Sequence, residues 1–228
     1  MNDLRIIDAD GHVQEKDAPW QDLLEEPYRK HAPRVVKDAG GRSELLLEGK
    51  IWAKPSGIGC GIGTTPISRR PQSTTGMFDP VQRLKDMDLE RIDTAVNFGT
   101  TVFLSLPFLE NHDIACAIAH AYNTWLAAYC QTDSRRLKGV ALVAMQEPME
   151  ALKELARCVK ELGFVAVAVA AHSAGRNLDH PDFILSMPRP KSLACPCAYM
   201  WARADRRRQQ TGSTIRFSCT RPRMRSNR

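Results

Sequence analysis

The sequence predicts an α/β fold: a parallel sheet covered by helices, with about four β/α units, or half of an eight-unit barrel. Two segments, "LKGVALVAM" and "FVAVAVAAH", are apolar along their whole length, as strands buried on both faces of a parallel sheet must be. Segments with apolar residues at three- and four-residue spacing alternate with them, as covering helices should. The pattern ends near Phe183 of 228 residues. An eight-unit barrel needs about 250.

The first element is "LRIIDADGH", where a short apolar run predicts a buried strand that ends in a polar loop. Residues 13–77 read as an irregular insertion rich in Pro and Gly. Within it "SELLLEGKIWAKP" predicts a small hairpin turning at Glu48–Lys50. The glycine-rich "GIGCGIG" does not join a strand to a helix, so a phosphate cradle has little support. In "FDPVQRLKDMDLERI", Asp79 is the N-cap and Pro80 the first helical residue, with Val81, Leu84, Met87 and Leu89 expected on one side. "DTAVNFG" follows as a strand, and "NHDIACAIAHAYNTWLAAYCQT" as a long helix. After the strand "LKGVALVAM", "EPMEALKELARCVKELG" is a helix with Pro148 near its start and Gly163 as its stop. "FVAVAVAAH" is the fourth strand, and "NLDHPDF" opens one more helix.

Hydrophobic residues make up 43% of the chain, enough for a core. No apolar run reaches the length of a membrane span, and "MNDLRIIDADGH" lacks the parts of a signal peptide. The seven cysteines show no framework spacing, which predicts free thiols in a reducing, cytoplasmic setting. Charge is uneven. Residues 184–228 hold eleven Lys and Arg against a single acid, Asp205, so the net +6 of the chain arises there and the rest is net acidic.

In an extended segment alternate residues share a face, so Asp8, Asp10 and His12 are expected to project together. Such a set could reach one divalent cation; from the tripeptide alone a hydrated polar loop is the favoured reading. His172 ends the fourth strand, where it would contact substrate or stand as a polar loop residue. His120 reads as a structural histidine; His31, His112 and His180 read as loop or cap positions. Cys130 and Cys158 read as small core residues.

The wider pattern resembles a known family. "IIDADGHVQE" is similar to the first-strand motif of the amidohydrolase-related family, in the branch with aminocarboxymuconate semialdehyde decarboxylase and resorcylate-type decarboxylases. "FDPVQRLKDMDLERIDTAV" resembles the family's helix before strand two, and the stretch from "YNTWLAAYCQT" to "CVKELGF" its third and fourth units. Over residues 4–183 the resemblance implies a (β/α)8 TIM-type barrel with one divalent metal, Zn²⁺ or Mn²⁺. The implied ligands are a first-strand pair, here Asp10 and His12, a His ending strand five and an Asp ending strand eight, with a second His after strand six. The last three find no counterpart in this chain. The implied chemistry is hydrolysis or nonoxidative decarboxylation of a small, often aromatic, carboxylic acid.

The segment 184–228 is expected to be a disordered, out-of-frame tail. Codons exist for Ile184–Pro190 whose shifted frame reads "PFYAEA", a helix start like the one the family places after "HPDF". Shifted codons for "ACPCAYMWA" permit a strand ending in His, the missing fifth-strand ligand. The rival is a basic tail for nucleic acid, but it lacks aromatic interleaving, a helix period and zinc-ligand spacing. The expectation is therefore a partial barrel over residues 1–183 that binds no metal stably, is inactive, and is poorly soluble along its open edges. Its expected partners are a carboxylic-acid substrate in intact relatives and a second copy or full-length relative, with no membrane and no nucleic acid.

Overall fold

The computed structural model describes residues 4–15, 18–37, 43–52, 75–170, 172–173, 176–177, 180–181 and 197–200. Strand β1 (Ile7–His12) opens the chain, followed by the short helix α1 (Trp20–Leu23). Strands β2 (Arg34–Lys37), β3 (Ser43–Leu47) and β4 (Lys50–Trp52) form a separate antiparallel sheet. The insertion expected to be irregular thus holds one strand more than its predicted hairpin. The hairpin itself turns through Glu48 and Gly49, both at positive φ (52° and 70°), as a tight two-residue turn requires. The Glu48 carboxylate accepts from the backbone N–H groups of Glu110 and Asn111 at 3.0 and 2.7 Å, which docks the turn on the main body.

Helix α2 (Pro80–Glu90) starts where Asp79 Oδ1 accepts from the Val81 and Gln82 amides. It ends at Arg91, in the left-handed conformation. Strand β5 (Thr94–Phe98), helix α3 (Thr101–Ser105) and the long helix α4 (His112–Gln131) follow. Strand β6 (Leu137–Leu142), helix α5 (Pro148–Lys160) and strand β7 (Ala166–Ala170) complete the regular pattern. Gly163, at φ 69°, stops α5 as predicted. Two-residue strands β8 (His172–Ser173) and β9 (Arg176–Asn177) pair with each other. The "GIGCGIG" loop and most of the helix expected to open at "NLDHPDF" lie outside the described residues.

Strands β1, β5, β6 and β7 pair in parallel in that order, a parallel half-barrel sheet. A fifth short strand, β10 (Cys197–Met200), pairs in parallel with β7. It comes from the segment expected to be without structure. Strands β5, β6 and β7 are buried almost throughout. Strand β1 is not the buried strand its apolar start predicts. Ile6 and Ile7 are 48% and 61% exposed, because β1 is an edge, paired with β5 alone among the described residues. Helix α2 departs from expectation too. Met87 is buried but Val81 and Leu89 face solvent. At 3.6 residues per turn, Leu89 lies about 200° around the helix from Met87, so one face cannot hold both. No helix of the described residues is long and apolar enough to cross a membrane.

A buried amide on α4 ties that helix to the sheet and to α5. Asn123, wholly buried on α4, donates to the Leu142 carbonyl at 2.8 Å and accepts from the Leu142 amide at 2.9 Å. Its amide also donates to Glu154 of α5 at 2.8 Å. Burial opposes ionisation of Glu154, but His120, Arg157 and Asn123 bond its carboxylate and hold it well below the usual carboxylate range. His120 is thus the partnered structural histidine expected.

Two outcomes follow for stability. Asn123→Ala leaves the Leu142 backbone groups without these partners and is expected to cost about 2 kcal/mol in urea denaturation. Because folding depresses the Glu154 pKa, its contribution is complete above the ordinary carboxylate range and drains away as pH falls. The urea-midpoint gap between wild type and Glu154→Gln should therefore narrow from about pH 7 to about pH 3; a constant gap would refute the assignment.

Candidate metal centre

The site is built on the β1–β5 ladder. Its register slips between Asp8 and Gly11, an irregularity of the kind that re-aims side chains beside active sites. The expected three-residue face is accordingly reduced to two. Asp8 Oδ1 turns back to accept from the Asp10 amide at 3.0 Å. Asp10 and His12 do meet: Oδ1 lies 3.6 Å from Nε2. The Asp10 side chain is 83% exposed, while that of His12 is 24% exposed and sits against Phe98.

His12 is held from its other nitrogen. Nδ1 lies 3.2 Å from the Gly99 carbonyl and 3.4 Å from Thr100 Oγ1. The Thr100 hydroxyl donates to the Val13 carbonyl at 2.7 Å, so toward His12 its oxygen acts as an acceptor. Two acceptors face Nδ1, so in the neutral imidazole that nitrogen carries the proton and Nε2, on the side of Asp10, is left bare. This is the orientation of a metal-ligating histidine, whose second ring nitrogen bonds a backbone carbonyl. The pair fits two ligand positions of a divalent cation. Among the described residues no group of three or more His, Cys, Asp or Glu could hold an ion.

Several supporting residues carried no recognisable signal in the sequence. Arg83 donates to the His12 carbonyl at 2.6 Å and to Asn97 Oδ1 at 3.2 Å. Asn97, wholly buried in β5, donates in turn to the Ala95 and Lys138 carbonyls. Glu15, three residues beyond His12, is buried with its carboxylate on backbone amides. It accepts from Thr100 at 3.0 and 3.2 Å, from Val102 at 2.5 Å and from Phe103 at 3.4 Å. Burial pushes the Glu15 carboxyl above its ordinary value, and these amides pull it back. Gly99 is a close approach: a Cβ there would lie 2.9 Å from the ring of Tyr122.

His172 lies in β8, directly after β7 at the carboxyl side of the sheet; its side chain is outside the described residues. Nearby, a narrow cavity is lined by Phe103, Leu142, Met145, Gln146, Ala170 and Ser173. Gln146 Oε1 and Ser173 Oγ are buried there without a hydrogen-bond partner among the described residues. His112, the first residue of α4, pairs at 2.7 Å with Glu147, the N-cap of α5. Burial pushes the Cys116 thiol up to about 11 and the Cys130 thiol up to about 12, so neither is a nucleophile near neutral pH.

A family model described as Amidohydrolase matches residues 7–206. The chain belongs to this amidohydrolase family. The match takes in the Asp10–His12 strand end. Curated relatives include γ-resorcylate decarboxylase of Rhodococcus jostii, 36% identical over 140 residues, which cover 58% of this chain and 42% of that protein. Another is 2-amino-3-carboxymuconate-6-semialdehyde decarboxylase of Dictyostelium discoideum, 26% identical over 176 residues, 77% of this chain and 43% of that one. The amidohydrolase chain spans less than half the length of these relatives. Solved structures share the fold. An amidohydrolase from Mycobacterium avium subsp. paratuberculosis superposes with a TM-score of 0.68 at 18% identity, over 87% of this chain and 59% of that one. The dihydroxybenzoic acid decarboxylase from Polaromonas, solved with manganese and 2-nitroresorcinol, gives 0.62 at 19% identity, over 92% and 52%.

The close approach at Gly99 generates a test. Gly99→Ala drives a methyl group into the Tyr122 ring and should destabilise the fold by about 1–3 kcal/mol, read as a lowered urea midpoint; an unchanged midpoint would show that the loop yields freely.

Proposed function

We propose that this chain is the first half of a metal-dependent amidohydrolase-family decarboxylase whose intact form acts on a small aromatic carboxylic acid. The observation that carries the reading is the Asp10–His12 pair, with Nδ1 anchored and Nε2 bare, at the end of the first parallel strand. The γ-resorcylate decarboxylase relatives support the substrate class. Asp10 and His12 would hold a divalent ion, and manganese in the solved relatives favours that metal over zinc. When bound, such an ion polarises substrate oxygens or activates water. The chain's own residues orient the pair: the Gly99 carbonyl fixes the imidazole, and Arg83 secures the His12 backbone. His172, at the end of the fourth strand, is assigned to substrate contact.

In this reading the chain by itself is inactive and retains no ion, since two ligands fall short of the three or four that a catalytic ion takes from protein. Residues 184–228 are read as an out-of-frame tail after Phe183. The family match runs on to residue 206, so the gene sequence decides. A second reading, a half-barrel that pairs with a full-length relative, draws support from the exposed Ile6 and Ile7 at the β1 edge.

Resequencing around the Phe183 codon, with metal analysis and CO₂ release on γ-resorcylate and 5-carboxyvanillate, tests the proposal. The 228-residue protein should hold no stoichiometric metal and release no CO₂; the frame-corrected protein should do both. Turnover by the chain as written would sink it. Co-purification with a full-length relative, lost in Ile7→Lys, would favour the second reading.

A further inference from the structure

We infer that Glu15 is a positioning residue: its buried carboxylate holds the 99–103 loop so that His12 keeps its proton on Nδ1 and presents a bare Nε2. The chain of contacts is continuous. The two Glu15 oxygens take the amides of Thr100, Val102 and Phe103. That fixes Thr100, whose hydroxyl is committed to the Val13 carbonyl. Both acceptors against Nδ1, the Gly99 carbonyl and Thr100 Oγ1, belong to this one stretch of backbone. Glu15 is tethered independently of the loop, since Trp20 Nε1 donates to its carbonyl at 3.0 Å.

The chemistry requires an acceptor-only group here. A neutral amide offers one oxygen and a pair of donors, and amide donors facing N–H groups repel. A buried carboxylate accepting several N–H bonds is the stronger anchor. Ordinary core packing could hold α3 in place, but would not determine which imidazole nitrogen bears the proton. Free of the loop, the imidazole chooses its tautomer from solvent and from Asp10, whose exposed carboxylate would accept a proton from Nε2. The bare nitrogen would then be lost to a metal.

This inference rests on the reading of His12 as a ligand only for its metal readout. The test is ¹⁵N spectroscopy of the neutral His12 imidazole, with weak Mn²⁺ uptake followed by the free-Mn²⁺ EPR signal, on wild type, Glu15→Gln, His12→Ala and the packing control Leu126→Ala. Wild type should show a protonated Nδ1 and an unprotonated Nε2. In Glu15→Gln the resonances should move toward the Nε2-protonated form, and Mn²⁺ affinity should fall about 10–100-fold, as for other lost outer-shell partners. Leu126→Ala should lower the melting temperature and leave the tautomer in place. An unaltered tautomer in folded Glu15→Gln, or an equal change in Leu126→Ala, overturns the inference. If Glu15→Gln does not fold, Glu15→Asp, which cannot span all three amides, is read by the same criterion. A wild-type His12 protonated on Nε2 overturns it outright. Equal Mn²⁺ uptake by wild type and His12→Ala removes the ligand reading instead, and the tautomer then decides the role of Glu15 alone.

Discussion

Strand β1 is held by hydrogen bonds to one neighbour, β5, among the described residues, and the whole candidate site hangs from that ladder. Asp10 and His12 end the strand, Glu15 follows it, and Gly99 and Thr100 continue the strand it pairs with. A parallel pair cannot be closed by a tight turn, so β5 reaches β1 only after a long connection. Here that connection carries the β2–β4 sheet and α2. Arg83 of α2 returns to the ladder by bonding both the His12 carbonyl and Asn97. The long excursion therefore supplies its own fastening to the strand it left.

The same topology explains why few functional groups meet among the described residues. In a parallel β/α architecture the functional groups stand at the carboxyl ends of different strands. Each strand contributes one or two side chains, and a closed pocket collects them from around the ring. The described strands bring an imidazole, a carboxylate and a small, largely apolar cavity. Ile6 and Ile7, at the free side of β1, are exposed. They have the side chains of a covered strand and the accessibility of an edge.

Much of the fold was legible because it is written in local signals. Asp79 and Pro80 mark one helix start, Pro148 another, and Gly163 a stop; each works through its own backbone preferences and needs no distant partner. The strands β6 and β7 were plain because burial on both faces leaves no polar alternation. Less legible were the elements whose character depends on remote contacts. Glu15 looks like a loop carboxylate until the amides at 100–103 close over it. Asn97 and Asn123 sit inside apolar elements, where only the fold reveals the backbone groups they satisfy. The Asp10–His12 pair was visible from spacing, but the register slip that removes Asp8 from it is a property of two strands together.

The missing side chain at Gly99 carries a geometric consequence. With only a hydrogen at that position, the Tyr122 ring rises directly under the backbone and becomes a floor for it. The carbonyl that meets His12 rests on that floor. One methyl group at residue 99 would lift the platform by a fraction of an ångström, and the imidazole would ride up with it. The height of the nitrogen above the sheet is thus gauged by an aromatic ring on α4, a helix that holds neither Asp10 nor His12.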